Sequence, residues 1–590
     1  MRKQKNKTIQ KLMDLGVPKA LAFRAYYAYG EEAVTAVKCD PYQLVQGENR
    51  AAWQEIDQLA CTLGFAGTSP ERYDGAFRFV LGSSTNEGHV FLPQLELFKQ
   101  VSRLIGIEDE SAYYETLDRL QEDDQVVIPA SQTSDERAVY LQRLYQAERQ
   151  TARFLHRSYH AASPLALQAP SDTEMEKIES ELGITLAPAQ REAIASSLTH
   201  KIVILTGGPG TGKTTIIKGV IRLWHKKKAR ILLAAPTGRA AKRLAESTGK
   251  SAKTIHRLLE YRLDTHAFGR DGTHPLKADL LVVDESSMID IELMACLLDA
   301  LPLSCHLVFV GDVNQLPAVG PGYVLHDLIQ SGQFKTICLT EIYRQAAGSL
   351  ISLNAQRINQ GEYPEITGLG VEQGQDFYFI ERSTPLKVRE AMLEMILERI
   401  PKQFGFDPKT EIQVLCPMIK YDLGVEKMNE TLQAQINPSS HPFNAPFYAV
   451  SIGDKVMQTR NDYNKEVFNG DMGFVTDIDP KGMTLVIDFE GREIPYTWNE
   501  LEDTTLAYAI TVHKSQGSEY PAVVIPVSRQ HYPMLQRNLL YTAVSRGKKL
   551  VVLVGSWSAL QTAVNNNRIS RRNTGLKQML QDFFQNRGGK

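Results

Sequence analysis

The stretch Ile202-Val203-Ile204-Leu205-Thr206-Gly207-Gly208-Pro209-Gly210-Thr211-Gly212-Lys213-Thr214-Thr215 decides how the rest of the chain is read. Ile202 to Leu205 has the unbroken apolar character of a buried strand. Gly207 to Thr214 then satisfies G-x-x-x-x-G-K-[ST] in the strand-loop-helix setting that this pattern requires. Glycines let successive backbone N–H groups wrap phosphates, the Lys213 ammonium adds a point charge on the β and γ groups, and the Thr214 hydroxyl can ligate Mg2+. A metal site needs a second acidic anchor, and Leu280-Leu281-Val282-Val283-Asp284-Glu285 supplies one at the end of an apolar run. Asp284 is expected to hold the metal and Glu285 to polarise an attacking water.

Working outward, short β-branched runs recur at Ile231 to Ala235, Leu280 to Val283 and Leu307 to Val310, alternating with amphipathic stretches. A second set follows at Ile412 to Cys416, Ala522 to Pro526 and Leu550 to Val554. Strands alternating with helices predict two mostly parallel sheets, each covered on both faces. Between Phe447 and Leu501 the texture changes to short alternating strands with Gly-Asp turns, the pattern of a small antiparallel barrel. Residues 1–160 read as mainly helical. Within them, Glu108 to Asp124 carries eight acids against one arginine, which fits a solvated helix face. Ala161 to Thr173 is rich in Ala, Pro and Ser and is the best linker candidate.

The 590 residues imply several domains, and a formal charge of -2 means that any nucleic-acid surface is a local patch. Six scattered cysteines form no C-x-x-C pair, so neither a disulfide framework nor a structural zinc site is expected. His156 and His160 share helical spacing but lack the glutamate of a zinc protease, and no zinc is assigned to them. The basic start contains no secretory apolar core, and no run approaches membrane-spanning length, so a soluble cytoplasmic protein is expected.

The ordered series of motifs from about residue 180 to 560 resembles the superfamily 1 helicases, and within them the bacterial RecD-like DNA helicases. Leu186-Ala187-Pro188-Ala189-Gln190 is similar to the Q motif, Ala235 to Ala241 to motif Ia, and Thr254 to Leu259 to motif Ib. Val310 to Pro317 resembles motif III and Ile342-Tyr343-Arg344-Gln345 motif IV. Thr511 to Glu519 resembles motif V, and Tyr541 to Lys548 motif VI. The resemblance implies two RecA-like P-loop domains with an SH3-like barrel insertion and a mainly helical, degenerate helix-hairpin-helix N-terminal region, in an α/β chain. Its expected divisions are 1–160, a linker 161–180, the first motor domain 181–345 with a hairpin insert 260–278, the second motor domain 346–446 and 502–565, the barrel 447–501, and a basic tail 566–590.

The resemblance also implies roles. Gln190 would read the adenine edge, with Gly207, Gly208, Pro209, Gly210, Thr211, Gly212, Lys213, Thr214, Thr215 and Glu519 around Mg-ATP. Gln315 would sense the γ-phosphate, and Arg344 and Arg546 would reach it when a cleft closes. Pro236, Thr237, Arg239, His256, Thr511, His513 and Ser515 are expected along single-stranded DNA. Short polar side chains of this kind also serve as caps. The turn-forming Arg270-Asp271-Gly272-Thr273 is expected at the centre of a β-hairpin, which in RecD-like helicases separates strands. Gly47 to Trp53 stands where relatives have a glycine-bearing hairpin, and the chain reads as a short N-terminal form.

The implied activity is ATP-dependent unwinding of duplex DNA by 5′ to 3′ translocation on a single strand, with forked DNA as substrate and repair or recombination as context. A translocase that does not separate strands, or a scaffold with a vestigial phosphate loop, would share parts of this pattern. Intact Lys213, Asp284, Glu285, Gln315 and Arg546 argue against the scaffold.

Overall fold

The computed structural model describes residues 2–44, 50–65, 67–129, 137–165, 167–262, 265–340, 349–366, 375–439, 443–462, 464–567 and 572–585. Its first sheet has six parallel strands in the order Lys335–Leu339, Ile202–Gly207, His306–Gly311, Leu280–Val283, Ile231–Ala235, Lys253–Thr254. Every residue of Ile202–Gly207, Leu280–Val283 and His306–Gly311 is buried, as a parallel sheet covered on both faces requires. The helix Lys213–Lys226 packs on one face through Ile216, Ile217, Val220 and Trp224. The phosphate loop therefore lies at the carboxyl end of a central strand, with a helix N-terminus pointing at it.

A second parallel sheet has five strands ordered Phe377–Glu381, Gly547–Gly555, Tyr520–Val527, Ile412–Cys416, Ala509–Thr511. Between its strands the chain builds a five-stranded antiparallel sheet in the order Glu493–Thr497, Thr484–Asp488, Met472–Asp479, Lys455–Gln458, Thr504–Leu506. The last of these strands lies beyond residue 501, the expected end of the insert. It pairs with Lys455–Gln458 with only two residues separating it from Ala509–Thr511 of the parallel sheet, so the antiparallel and parallel sheets share a continuous stretch of chain. The N-terminal region is helical around a core that includes Tyr42, Trp53, Phe77 and Tyr113, and it contains a three-stranded sheet. The acidic helix Glu110–Glu122 buries Tyr113, Leu117 and Leu120 and turns its carboxylates outward.

Three expectations need correction. The linker is shorter than 161–180, because Asp172–Leu182 is a helix whose Ser171 and Glu174 form a reciprocal capping box. The hairpin insert does not turn at Asp271-Gly272. Its strands are Tyr261–Arg262 and Ala267–Phe268, paired antiparallel, so Asp271-Gly272 lies beyond the hairpin. Asp271 instead accepts from the Thr273 and His274 backbone N–H groups, and Gly272 N–H donates to Asp299, which folds 271–274 as a local turn against the body. Nor is 566–590 wholly a free tail. The helix Leu576–Gln585 buries Leu576 and Leu580 against the long helix Gln142–His160 and the helix Val324–Ser331. The apolar spacing of Leu576, Met579, Leu580 and Phe583 outweighs the basic composition from which a tail was read.

Candidate active site

A cavity of 660 Å³ opens between the two parallel sheets. The first sheet contributes Gln190, Gly208 to Thr215, Asp284, Glu285 and Gln315; the second contributes Gly517, Glu519, Ser545 and Arg546. All of these except Gly517 and Ser545 were expected at the nucleotide. Gly207 lies just outside the lining and offers its carbonyl to the Lys213 ammonium at 2.6 Å, with Gly208 accepting at 2.9 Å. Gly212 has φ +83, and a side chain there would strike the Gln190 amide, so only glycine fits between loop and Q motif. Gln190 in turn accepts from Ala187 N–H at 3.1 Å and donates to the Thr211 carbonyl at 3.5 Å.

Asp284 follows a wholly buried strand, and burial together with the adjacent Glu285 carboxylate pushes its pKa up, with Lys213 opposing. Such a carboxylate is stabilised by a nearby cation, and Thr214 lines the same cavity with a second hard oxygen donor. That donor set fits Mg2+, which takes few protein ligands beside substrate phosphates. Among the described residues no cluster of three or more His, Cys, Asp or Glu could hold a metal on its own. Glu285 sits in the left-handed region at φ 51 and ψ 40, a conformation costing a non-glycine residue ~1–3 kcal/mol. This strain falls at the residue expected to orient water, which lines the cavity.

Across the cavity, Arg546 is 3% exposed and donates to Gln315 Oε1 at 2.5 Å, to the Ser518 carbonyl at 3.1 Å and to the Thr542 carbonyl at 3.3 Å. Gln315 donates to Asp312, which also accepts from the Tyr541 hydroxyl at 2.6 Å. Burial raises the Asp312 pKa, while Lys213, Tyr541 and Gln315 stabilise its charge. Leu316 N–H donates to Thr542 Oγ1 at 3.0 Å, and Gln516 donates to the Leu316 carbonyl at 2.8 Å. The sheets are thus joined by a buried polar seam. Asp312, Tyr541, Thr542, Gln516 and Arg243 belong to it or to the cavity wall and were missed. Asp312 stands in the stretch Val310 to Pro317 and Tyr541-Thr542 in Tyr541 to Lys548, but nothing in the sequence pairs the two stretches. Arg344 lies outside the described residues.

The residues expected on DNA divide more sharply. Thr237 Oγ1 accepts from Ala240 N–H as the cap of the helix Gly238–Thr248, and Gly517 of the second sheet stands against it. Pro236 is half-buried before it. Arg239 donates to Ser518 Oγ at 2.7 Å and to the Tyr520 hydroxyl at 3.2 Å, which places it in the seam between the sheets. His256 packs on Tyr261 and Phe268 of the hairpin, and burial lowers its pKa. Thr511 Oγ1 accepts from Lys514 N–H. Burial lowers the His513 pKa as well, with Arg572 adding to the effect. Ser515 requires correction: it is fully buried and its hydroxyl donates to the Val512 carbonyl at 2.7 Å, closing a one-turn helix instead of facing a strand.

Four family profiles match the chain: an AAA domain at residues 190–321, a UvrD-like helicase C-terminal domain at 506–554, the SH3 domain of ATP-dependent RecD-like DNA helicases at 428–489, and the HHH domain of ATP-dependent RecD2 DNA helicases at 1–91. The chain is 35% identical over 579 residues to the ATP-dependent RecD2 DNA helicase of Deinococcus radiodurans, covering 96% of this chain and 76% of that one. It is 32% identical over 425 residues to the RecBCD enzyme subunit RecD of Mycobacterium tuberculosis, covering 66% and 73%. A solved structure concerned with DNA unwinding at forked duplex DNA by two coordinating Pif1 helicases aligns with a TM-score of 0.40 and 24% identity, covering 63% of this chain and 92% of that one. No helix among the described residues is long and apolar enough to cross a membrane.

Proposed function

The chain belongs to the ATP-dependent RecD2-like DNA helicases of superfamily 1, and from that premise we propose that it moves 5′ to 3′ along single-stranded DNA and opens forked duplexes, in DNA repair or recombination. The observation that carries the coupling is the bond from Arg546 to Gln315 inside the nucleotide cavity, because it joins the second sheet to the phosphate-sensing side of the first.

In this reading the loop Gly207 to Gly212 wraps the phosphates with backbone N–H groups, and Lys213 leaves its carbonyl acceptors for the β and γ groups. Thr214 and Asp284 would hold Mg2+, which would neutralise charge between the β and γ phosphates. Glu285 orients the water, Gln190 reads the adenine edge, and Glu519 lines the cavity from the second sheet. Arg546 exchanges its protein acceptors for the γ-phosphate as the cleft closes, and Arg344 would join it there. An arginine in that position contributes ~10³ to 10⁵ in rate in related nucleotide hydrolases. Closure moves Thr511 and His513 relative to Thr237 and His256, so one hydrolysis advances the strand. The division into two motor lobes, barrel and N-terminal region is part of the same proposal.

Unwinding assays on duplexes with a 5′ or a 3′ single-stranded tail test activity and polarity together. Opening of only the 5′-tailed duplex, dependent on ATP, is the expected result. ATP hydrolysis stimulated by DNA without opening of either would leave a translocase that does not separate strands.

A further inference from the structure

The loop that follows Gln315 is gripped at both ends. At its front, Thr542 and Gln516 of the second sheet hold Leu316. At its back, the Arg572 guanidinium donates to the carbonyls of Ala318 at 2.6 Å, Gly320 at 3.0 Å and Gly322 at 2.7 Å. Gly322 N–H donates in turn to the Gly88 carbonyl of the N-terminal region at 3.0 Å. Gly88 has φ +89 and lies so close to Arg572 that any side chain there would collide with the guanidinium.

The residues after Arg572 secure it from the other side. Asn573 N–H donates to His89 Nδ1 at 3.0 Å, and the Asn573 carbonyl accepts from Val90 N–H at 2.8 Å. Gly575 N–H donates to the buried Glu148 carboxylate at 2.9 Å, at the start of the helix Leu576–Gln585. The C-terminal segment therefore docks where the N-terminal region meets the first sheet, and the Arg572 guanidinium binds the loop whose other end touches the nucleotide site. A planar fork that satisfies three carbonyls is a rigid joint that lysine cannot reproduce.

We propose that Arg572 is a positioning residue for unwinding: it bolts the Ala318–Gly322 loop to the Gly88 turn, so that the N-terminal region moves as one body with the nucleotide-reading loop during each ATP cycle. This rests on the helicase reading above. Arg572 touches neither the nucleotide cavity nor its lining, so its loss should spare hydrolysis and lower the work extracted from it.

The test measures, on the full chain, single-strand-stimulated ATPase, base pairs opened per ATP on a 5′-tailed fork, and thermal stability, for wild type, Arg572→Ala, Arg572→Lys and Leu580→Ala. Arg572→Ala is expected to keep kcat and the KM for ATP within about twofold and to lower base pairs per ATP by about tenfold, the upper part of the range for coupling residues. Arg572→Lys should recover only part of that loss. Leu580→Ala, which loosens the helix without touching the loop, should lower the melting temperature and leave the ratio unchanged. A wild-type ratio in Arg572→Ala, or equal losses in Arg572→Ala and Leu580→Ala, overturns the proposal. If Arg572→Ala does not fold, Arg572→Lys carries the test, and a wild-type ratio there overturns it. Failure of the wild-type chain to open any fork would instead remove the helicase reading on which the proposal stands.

Discussion

The nucleotide cavity and the face expected to carry DNA are built in opposite ways. The cavity draws on side chains with no ordinary structural task at their positions: Lys213 over a glycine loop, Glu285 in a left-handed conformation, and Asp284 with its pKa raised by burial. On the face expected to carry DNA, Thr237 caps a helix, Thr511 accepts from Lys514, Ser515 closes a turn, and Arg239 ties the two sheets together. A phosphate group with concentrated charge demands dedicated groups, whereas a strand tracked without regard to base sequence can be met by neutral donors already engaged in the fold. Substitutions should therefore be severe and specific in the cavity, and mild and mixed with stability effects on the DNA face.

The largest expected effect is in the cavity. Arg546→Ala should lower DNA-stimulated ATP turnover by ~10³ or more. Glu285→Gln should lower it by ~10² to 10⁴ while ATP still binds, and Lys213→Ala should weaken nucleotide binding as well. Near-normal turnover in Glu285→Gln would end its assignment to the water. Next comes the hairpin, which lies between the two regions in kind. Replacing residues 263–266 by a short Gly-Ser turn should leave single-strand-stimulated hydrolysis nearly intact and stop unwinding, because stacking of ~1.4 kcal/mol per base-pair step must be overcome by something rigid. Equal losses of both activities together with melting temperature would show a folding role only.

These contrasts also explain what was readable in the amino-acid sequence. The phosphate loop, the acid pair and the central strands of both sheets were legible because each is local: a motif, or an apolar run bounded by turns. The buried seam was only half legible. Arg546 and Gln315 were identified through the family pattern, but their partners Asp312, Tyr541 and Thr542 acquire meaning only when two distant segments meet. Ser515 misled because a serine in a nucleic-acid motif looks the same whether its hydroxyl faces a ligand or a backbone carbonyl; here it donates to the Val512 carbonyl, three residues earlier. Asp271-Gly272 misled for a related reason, since a turn signal does not say whether strands flank it.

Smaller effects probe the face expected to carry DNA. Ser515→Ala should cost about 1 kcal/mol of stability, the worth of one buried hydrogen bond, and leave single-strand affinity unchanged. Thr237→Ala should cost a similar amount through the lost cap, with a fall in affinity as well. A large affinity loss in Ser515→Ala would restore it to the DNA track. The smallest effect concerns His256, whose folded pKa lies below the ordinary histidine value because of burial. On acidification the unfolded chain takes up the proton first, so the His256 contribution to stability is present above about pH 6.5 and declines as pH falls toward the folded pKa. Single-strand affinity should stay flat from pH 8 to 6.5 in wild type and in His256→Asn alike. A rise in wild type that is absent from His256→Asn would mean that the imidazolium contacts phosphate.

The measurement that bears most directly on ATP-driven strand separation is opening of matched 5′-tailed and 3′-tailed duplexes by wild type and Lys213→Ala under identical conditions. The account predicts ATP-dependent opening of the 5′-tailed duplex alone, and none by Lys213→Ala. Opening of the 3′-tailed duplex, or equal opening by Lys213→Ala, would contradict it.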